Sequence, residues 1–255
     1  MTDIFDLTDN VALVTGGGTG IGLAIATGLA ERGAHVVLAG RRREVIEASA
    51  AQLRAAGRAA EAIALDVTEV PAIYAVVERI VATRGRLDIL VTSAGTNQRM
   101  PALDMDPKTW TTIIDTNLKG PFFCMQASAK AMVARRRGKI VNIASLQSES
   151  AARNGVTYAS SKGGLKMMTK GFAVELAAAN IQVNAIGPGT FPTDLNRGLF
   201  ADPAWVANQQ AKIPMGRVGR LDELVGAAVF LASPASDYVT GQVIYVDGGY
   251  LSALF

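Results

Sequence analysis

Residues 11–22 read Val11-Ala12-Leu13-Val14-Thr15-Gly16-Gly17-Gly18-Thr19-Gly20-Ile21-Gly22, and this stretch decides the fold. An apolar run of strand length meets a glycine-rich turn, which opens the apolar-periodic segment 20–32. The pattern predicts a strand, a tight turn and a helix in direct succession. Because glycines lack β-carbons, an anion such as a diphosphate can approach the backbone N–H groups where the helix begins. The alternative interpretation is a simple flexible turn.

Strand-like and helix-like segments alternate along the rest of the chain. The strand candidates are residues 11–15, 35–39, 60–65, 87–91, 139–144, 181–186 and 242–246. The helix candidates are residues 20–32, 43–56, 70–84, 107–135, 157–178 and 221–232. This alternation predicts an α/β fold: one Rossmann-like, doubly wound parallel sheet of about seven strands with helices on both faces. Ligands are then expected beyond the carboxyl ends of the strands.

The bulk composition narrows the class of protein. A chain of 255 residues can bury one large core, so we expect a single domain over residues 1–255. With 49% hydrophobic and 18% charged residues, the chain resembles neither a disordered segment nor a nucleic-acid-binding protein. The basic residues are densest at 41–43 and 135–137, and we interpret the second cluster as a solvated helix end.

Cysteine usage and hydropathy bear on the compartment. The single cysteine, Cys124, excludes an intramolecular disulfide and suits a reducing environment. The first six residues are acidic and contain no long apolar segment, and no apolar span approaches bilayer length. We therefore expect a cytoplasmic protein without a membrane or nucleic-acid partner. No His, Cys, Asp and Glu residues have metal-ligand spacing, so no metal is expected.

Tyr158 and Lys162 lie four residues apart, and Ser145 precedes Tyr158 by thirteen residues. In a helix, positions i and i+4 share a face, so the ammonium can lie beside the phenol. A neighbouring positive charge favours the phenolate, which predicts that the pKa of Tyr158 is lowered towards neutrality. Such pairs also occur by chance on helix surfaces, so the pair gains weight only beside the glycine-rich turn.

Together these motifs resemble the short-chain dehydrogenase/reductases. The resemblance rests on the glycine-rich turn, Asn117, Ser145, Tyr158-x-x-x-Lys162 and Gly187-Pro188-Gly189, and it covers the chain from about residue 7. It implies a cofactor-binding half at about 7–145 and a catalytic and substrate-loop half at about 145–255. It also implies hydride transfer between a nicotinamide cofactor and a secondary alcohol or ketone.

The resemblance also implies a role for each catalytic residue. Tyr158 would exchange a proton with the substrate oxygen, and Ser145 would orient that oxygen. Lys162 would lower the pKa of the phenol and anchor the nicotinamide ribose. Asn117 would hold a water that links Lys162 to solvent, although it could instead be only a helix-kink or cap residue.

The strand candidate 35–39 ends at Gly40-Arg41-Arg42-Arg43, without the acidic residue that usually marks NAD preference. Because a guanidinium can fork onto phosphate oxygens, we predict NADP, with Arg41 as the first contact of its 2′-phosphate and Arg42 as the second. A solvated arginine cluster that also accepts NAD is the alternative. Thr19 weakens the prediction, since many NADP-preferring relatives carry a basic residue there.

Most of the cofactor contacts implied by the resemblance come from loops that follow strands, and two come from the helix candidate 157–178. They are Gly16, Gly18, Thr19, Gly20, Ile21, Gly22, Arg41, Arg42, Asp66, Val67, Ser93, Ala94, Gly95, Tyr158, Lys162, Pro188, Gly189, Thr190 and Thr193. One motif departs from the family: Thr92-Ser93 replaces the usual Asn-Asn before Ala94-Gly95. Hydroxyls offer fewer hydrogen bonds than amides, which puts the usual bracing of this strand in doubt.

Within the family, the phrases at 145–149, 161–167, 180–184 and 226–231 resemble gluconate 5-dehydrogenases, which interconvert gluconate and 5-ketogluconate. We therefore hypothesise that Arg99 pairs with a sugar-acid carboxylate, although it could be a solvated loop arginine. Gln147 or Glu149 would contact substrate hydroxyls, and Phe191 opens the substrate loop. The resemblance also implies a homotetramer.

Three alternatives stay open. A 3-oxoacyl-carrier-protein reductase has overlapping motifs and should need basic residues near the mouth of its site for an acidic carrier. A broad small-ketone reductase would share the same chemistry. A binding protein that kept only the cofactor site is disfavoured, because Asn117, Ser145, Tyr158 and Lys162 are all present.

Overall fold

A parallel sheet organises the chain in the computed structural model, which describes residues 3–253. The strands in this range are β1 (Val11–Thr15), β2 (His35–Gly40), β3 (Ala60–Ala64), β4 (Ile89–Thr92), β5 (Gly138–Ile143), β6 (Ile181–Pro188) and β7 (Val243–Val246). They form one sheet in the order β3-β2-β1-β4-β5-β6-β7, and all neighbouring pairs are parallel. The predicted fold class is confirmed. Residues 1, 2, 254 and 255 of the predicted 1–255 domain lie outside the described range.

Helices cover both faces of the sheet. They are α1 (Gly20–Glu31), α2 (Arg43–Ala55), α3 (Val70–Arg84), α4 (Pro107–Ile114), α5 (Gly120–Val133), α6 (Val156–Leu176), α7 (Arg197–Phe200), α8 (Pro203–Lys212) and α9 (Val225–Ala232). One apolar core joins the sheet to α1, α2 and α9, and a second joins it to α3, α5 and α6. Because helices lie on both faces, β1, β4, β5 and β6 are buried along their whole length, which explains their near-continuous apolar sequences.

Two helix predictions were wrong in detail. The predicted helix 107–135 consists of α4 and α5 separated by a π-helical segment, Asp115–Lys119. The predicted helix 221–232 begins with a 3₁₀ turn at Leu221–Leu224 before α9. In both places the apolar pattern continues across a change in backbone geometry, so periodicity alone did not reveal the change.

The loop after β6 forms a lid, defined here as residues 190–219, that contains α7 and α8. Its two ends are tied together, since the Gly219 N–H donates to the Thr190 carbonyl at 3.0 Å. The Phe200 and Trp205 rings meet edge to face with centroids 5.3 Å apart. These two rings therefore form an internal contact of the lid.

The bracing of β4 is preserved despite the Thr92-Ser93 substitution. Thr92 Oγ1 donates to Asn142 Oδ1 on β5 at 2.6 Å, and Asn142 Nδ2 donates to Thr169 Oγ1 on α6 at 2.9 Å. All three side chains are buried. The hydroxyl thus connects β4 through β5 to α6, the helix that carries Tyr158 and Lys162.

Paired charges occupy the amino end of the sheet. The buried Asp88 carboxylate accepts hydrogen bonds from Arg86 at 2.6 and 2.7 Å, from Arg135 at 3.2 Å and from the Val11 N–H at 3.0 Å. On β5, Lys139 Nζ donates to Asp237 at 2.7 Å. These ion pairs connect strand ends to loops on the side of the sheet opposite the glycine-rich turn.

The basic cluster at 135–137 lies at this amino end. Its side chains are exposed, as predicted for a helix end. Each is nevertheless engaged: Arg135 with Asp88, Arg136 with the Ala178 carbonyl and Arg137 with Asn10. No helix within residues 3–253 combines the length and apolarity needed to cross a bilayer.

Candidate active site

A cavity of about 760 Å³ lies at the carboxyl ends of the strands, where the strand order reverses between β1 and β4. Most of the predicted cofactor residues line it: Gly16, Gly18, Thr19, Gly20, Ile21, Gly22, Arg41, Arg42, Asp66, Val67, Ser93, Ala94, Gly95, Tyr158, Lys162, Pro188, Gly189 and Thr193. Thr190 does not line it; this residue borders a smaller neighbouring cavity under the lid. Ser145 and Phe191 also belong to the wall of the large cavity.

The glycine-rich turn packs too closely against the loop after β4 and against α2 to admit side chains at two positions, and it forms a cradle at the start of α1. Gly16 has φ +67°, and a β-carbon there would lie 2.8 Å from the Ala94 nitrogen. A β-carbon on Gly18 would lie 2.9 Å from the Ile46 side chain. Thr19 precedes α1 without capping it through its side chain, so the first N–H groups of α1 keep their capacity to bind an anion. The cradle fits the diphosphate of a dinucleotide, and the cavity volume suits a ligand of that size.

Two arginines extend the cavity beyond β2. Gly40 ends this strand, so no acidic side chain occupies the position that disfavours a 2′-phosphate. Arg41 lies 4.0 Å from Asp66, and Arg42 lies 3.8 Å from Asp194. Both arginine side chains are about two-thirds exposed, at 68% and 66%. Each guanidinium therefore lies near a carboxylate of the cavity wall and still has N–H donors exposed to the cavity or to solvent.

Lys162 is a buried cation on the opposite wall. Its Nζ donates to the Ile143 carbonyl at 2.7 Å and lies 5.8 Å from the centre of the Tyr158 ring. Burial disfavours the ammonium and lowers the pKa of Lys162 from 10.5 to about 8. The lysine is thus close to its titration range at neutral pH.

The pKa of Tyr158 is shifted in the direction opposite to the prediction. Burial of the hydroxyl raises this pKa above its ordinary value of 10.0, while the Ser145 hydrogen bond and the Arg99 charge act to lower it. Lys162 is not among the groups that lower this pKa, and its Nζ donates to the Ile143 carbonyl. The predicted lowering by Lys162 was therefore wrong.

Asn117 lies in the π-helical segment and is fully buried. Its Oδ1 accepts from the Thr96 N–H and its Nδ2 donates to the Thr96 carbonyl, both at 2.8 Å. Nδ2 also donates to Ser161 Oγ at 3.2 Å. The side chain fastens the loop after β4 to α6 and lies behind the cavity wall. This geometry matches the helix-kink alternative for the side chain.

The structure separates the four predicted substrate residues. Arg99 is exposed and is not part of the cavity wall. Gln147 has a buried Oε1 that no described residue hydrogen-bonds. Glu149 is not brought to the cavity, because its carboxylate pairs with Lys166 and accepts from the Tyr245 hydroxyl at 2.6 Å. Phe191 is buried at the base of the lid and packs against Gly219.

Several cavity residues were missed by sequence reasoning. They are Val45, Ile46, Leu65, Thr116, Ile143, Ala144, Asp194, Leu195 and Asn196. Most of them adjoin a recognised motif, so proximity in sequence was the available signal. Among residues 3–253, no group of three or more His, Cys, Asp and Glu side chains has an arrangement that could hold a metal ion.

Comparison with known proteins agrees with this site. A family model described as enoyl-(acyl carrier protein) reductase, one of the short-chain dehydrogenases, matches residues 16–251. Gluconate 5-dehydrogenase of Gluconobacter oxydans is 42% identical over 99% of this chain and 98% of its own length. 5-Keto-D-gluconate 5-reductase of Escherichia coli is 41% identical over the whole of both chains.

A crystal structure of a gluconate 5-dehydrogenase from Burkholderia cenocepacia, in complex with NADP and tartrate, is 44% identical, covers 99% of each chain and has a TM-score of 0.96. This protein is therefore a member of the short-chain dehydrogenase/reductase family of oxidoreductases. Within the family, it is similar over its full length to enzymes named for gluconate and 5-ketogluconate.

Proposed function

We propose that this protein is an NADP-dependent oxidoreductase that interconverts a sugar acid and its keto form, with gluconate and 5-ketogluconate as the first pair to test. The observation that carries the proposal is one cavity that joins the diphosphate cradle and two arginines to Ser145, Tyr158 and Lys162. The 41–42% identity to gluconate 5-dehydrogenase and 5-ketogluconate reductase supports the choice of substrate.

In this proposal, bound NADP supplies or accepts the hydride. Tyr158 exchanges the proton with the substrate oxygen, and Ser145 hydrogen-bonds that oxygen. Because the pKa of Tyr158 is raised, its phenol is protonated at neutral pH, the form needed to donate a proton to a ketone. Alcohol oxidation needs the phenolate and is expected to speed up as pH rises.

Lys162 and Asn117 position this chemistry. The Lys162 ammonium, cationic below pH about 8, would donate a hydrogen bond to the cofactor ribose. Asn117 anchors the loop after β4 through hydrogen bonds to Thr96. In this proposal it also holds a water that links Lys162 to solvent. We also propose that the cofactor-binding half covers about residues 7–145 and that the catalytic and substrate-loop half covers about residues 145–255.

The cofactor preference is proposed from the end of β2. Gly40 removes the acidic side chain that would repel a 2′-phosphate, and Arg41 and Arg42 offer exposed guanidinium groups. Crystal structures of similar proteins from Burkholderia cenocepacia and Beutenbergia cavernae contain NADP, which supports the preference.

We propose that Arg99 recognises the carboxylate of the sugar acid. The Arg99 charge acts to lower the pKa of the Tyr158 hydroxyl, the group that we propose contacts the reacting oxygen. Gln147, with an unpartnered Oε1, would accept a hydrogen bond from a substrate hydroxyl. Arg99→Met should raise KM for gluconate at least about tenfold, since charge-assisted bonds are worth ~1.5–3 kcal/mol. A neutral ketone is the control, and an equal effect on both substrates would contradict the assignment.

A thioester-reducing activity is the second candidate, because the matching family model is described as a carrier-protein reductase. An acidic carrier would need basic residues at the mouth. The cluster at 135–137 lies at the amino end of the sheet and is already engaged there, which disfavours this candidate.

The deciding experiment compares initial rates with D-gluconate, using NADP and NAD in parallel, and with an acetoacetyl thioester in the reducing direction. Turnover of gluconate with NADP is expected. Thioester reduction without gluconate turnover would favour the second candidate, and reduction of small ketones alone would indicate a broad carbonyl reductase.

We also propose a homotetramer in the cytoplasm. The edge strand β7 is only partly buried, and Met167 and Val174 on α6 are 62% and 80% exposed, so both surfaces are suited to contacts between subunits. The reduced, buried Cys124 is compatible with the cytoplasm. Sedimentation equilibrium should give four times the 26.7 kDa chain mass; a mass of one chain would contradict the tetramer.

A further inference from the structure

Arg42 has a carboxylate partner on the lid. Asp194, the first residue of a 3₁₀ turn at the start of the lid, lies 3.8 Å from the Arg42 guanidinium, and both side chains line the large cavity. The preceding Thr193 lies over the glycine-rich turn, within 3.7 Å of a β-carbon built on Gly20. The start of the lid therefore contacts the two parts of the cavity wall that are suited to phosphate groups.

The Asp194 carboxylate and a 2′-phosphate would need the same donors. Both are oxyanions that accept charge-assisted hydrogen bonds from a guanidinium, and Arg42 is the side chain that each would use. Asp194 also pairs with Arg197, which holds its carboxylate at this place. A dianionic phosphate that binds Arg42 would displace Asp194 or lie beside its negative charge.

Resting on the proposed preference for NADP, we propose that Asp194 is a specificity-determining residue that competes with the 2′-phosphate for Arg42. This competition reduces the difference in affinity between NADP and NAD that Arg41 and Arg42 produce. It also relates cofactor identity to the lid, because the group displaced from Arg42 belongs to the lid itself.

The pair is exposed, which sets the size of the effect. Arg42 is 66% exposed and Asp194 is 42% exposed, so solvent screens their attraction. We therefore expect Asp194→Asn to tighten binding of a 2′-phosphorylated nucleotide by about threefold to tenfold, combining the loss of a weak ion pair with the loss of a like charge.

The test uses nucleotide fragments and no turnover. Isothermal titration calorimetry at low ionic strength compares adenosine 2′,5′-bisphosphate with adenosine 5′-monophosphate, which differ only in the 2′-phosphate. Asp194→Asn should lower the Kd of the bisphosphate and leave the Kd of the monophosphate within about twofold of the wild-type value. Asp202→Asn is the matched control: it removes the same charge from the same lid, where Asp202 caps α8 through the Ala204 N–H at 2.9 Å. This control should leave both affinities within about twofold.

A double-mutant cycle tests whether Asp194 affects binding of the bisphosphate through Arg42. In an Arg42→Gln background, Asp194→Asn should lose most of its effect on the bisphosphate. The proposal is overturned if Asp194→Asn does not tighten the bisphosphate, if Asp202→Asn tightens it equally, or if the full gain persists without Arg42. A wild type that binds both fragments equally would contradict the NADP preference instead, and the Asp194→Asn comparison would still decide the competition.

Discussion

The two ends of the sheet treat buried charge differently. At the amino end, Asp88 is buried but is surrounded by Arg86, Arg135 and the Val11 N–H. At the carboxyl end, Lys162 is equally well buried, yet within residues 3–253 no carboxylate pairs with it, and its hydrogen bond is to the Ile143 carbonyl. A buried charge that neighbours neutralise supports the fold, whereas one without a counter-ion lowers stability and can act on an adjacent group. The difference indicates that the amino end is structural and the carboxyl end is functional.

The largest expected effect is the loss of activity when the carboxyl end loses its phenol. Tyr158→Phe should lower kcat for gluconate oxidation with NADP by roughly 10²–10⁴-fold, because the substrate oxygen would lose the acid-base partner that we propose for it. Urea unfolding serves as the control for folding. Activity within about tenfold of the wild type would move the proton transfer to another group.

A large loss of stability is expected at the amino end. Asp88→Asn leaves two arginines beside a neutral side chain, so the free energy of unfolding should fall by ~3–5 kcal/mol, as is typical when one partner of a buried ion pair is removed. Equilibrium unfolding in urea measures the change. The kcat of the remaining folded protein should match the wild type; a parallel loss of kcat would contradict the division between the two ends.

A smaller effect is expected at the second ion pair of the amino end. Asp237 is 67% exposed, so water can replace much of its interaction with Lys139. Asp237→Asn should lower the free energy of unfolding by ~1 kcal/mol or less. Comparison with Asp88→Asn tests whether the burial of an ion pair determines its contribution to the free energy of unfolding. Equal decreases in this free energy for the two variants would contradict that view.

The sequence was sufficient for the sheet and for most of the cavity wall, because both depend on local patterns. Apolar runs marked the strands, and glycines marked the turn that a diphosphate can approach. The helix predicted over 107–135 did not include the break at 115–119, where Asn117 bonds to Thr96, a residue 21 positions earlier in the chain. Periodicity within a helix carries no information about such a contact.

The errors at the site have the same origin. The spacing of Tyr158 and Lys162 correctly placed them on one helix, but the shift in the pKa of Tyr158 depends on burial, which tertiary packing decides. Glu149 was predicted to contact substrate, but its carboxylate accepts a hydrogen bond from Tyr245 on β7, a contact between residues far apart in sequence. Asp194 was overlooked because its partner Arg42 lies on another loop.

The most direct test of the difference between the two ends is the free energy of unfolding of Lys162→Met at pH 7. A pKa lowered from 10.5 to about 8 means that the folded state disfavours the ammonium. At 1.36 kcal/mol per pKa unit this destabilises the fold by ~3 kcal/mol, partly offset by the hydrogen bond to Ile143. Lys162→Met should therefore be about 1–2 kcal/mol more stable than the wild type while losing activity.

The pH dependence sharpens this measurement. Below pH about 8 the lysine is charged in both the folded and unfolded states, so the full difference between variant and wild type should be present. Between pH 8 and 10.5 the folded wild type releases the proton that the unfolded chain still holds, and the difference should shrink. We predict opposite signs for Lys162→Met and Asp88→Asn in the same urea titration at pH 7. A loss of stability in Lys162→Met as large as that in Asp88→Asn would contradict the account, because it would make Lys162 a structural charge.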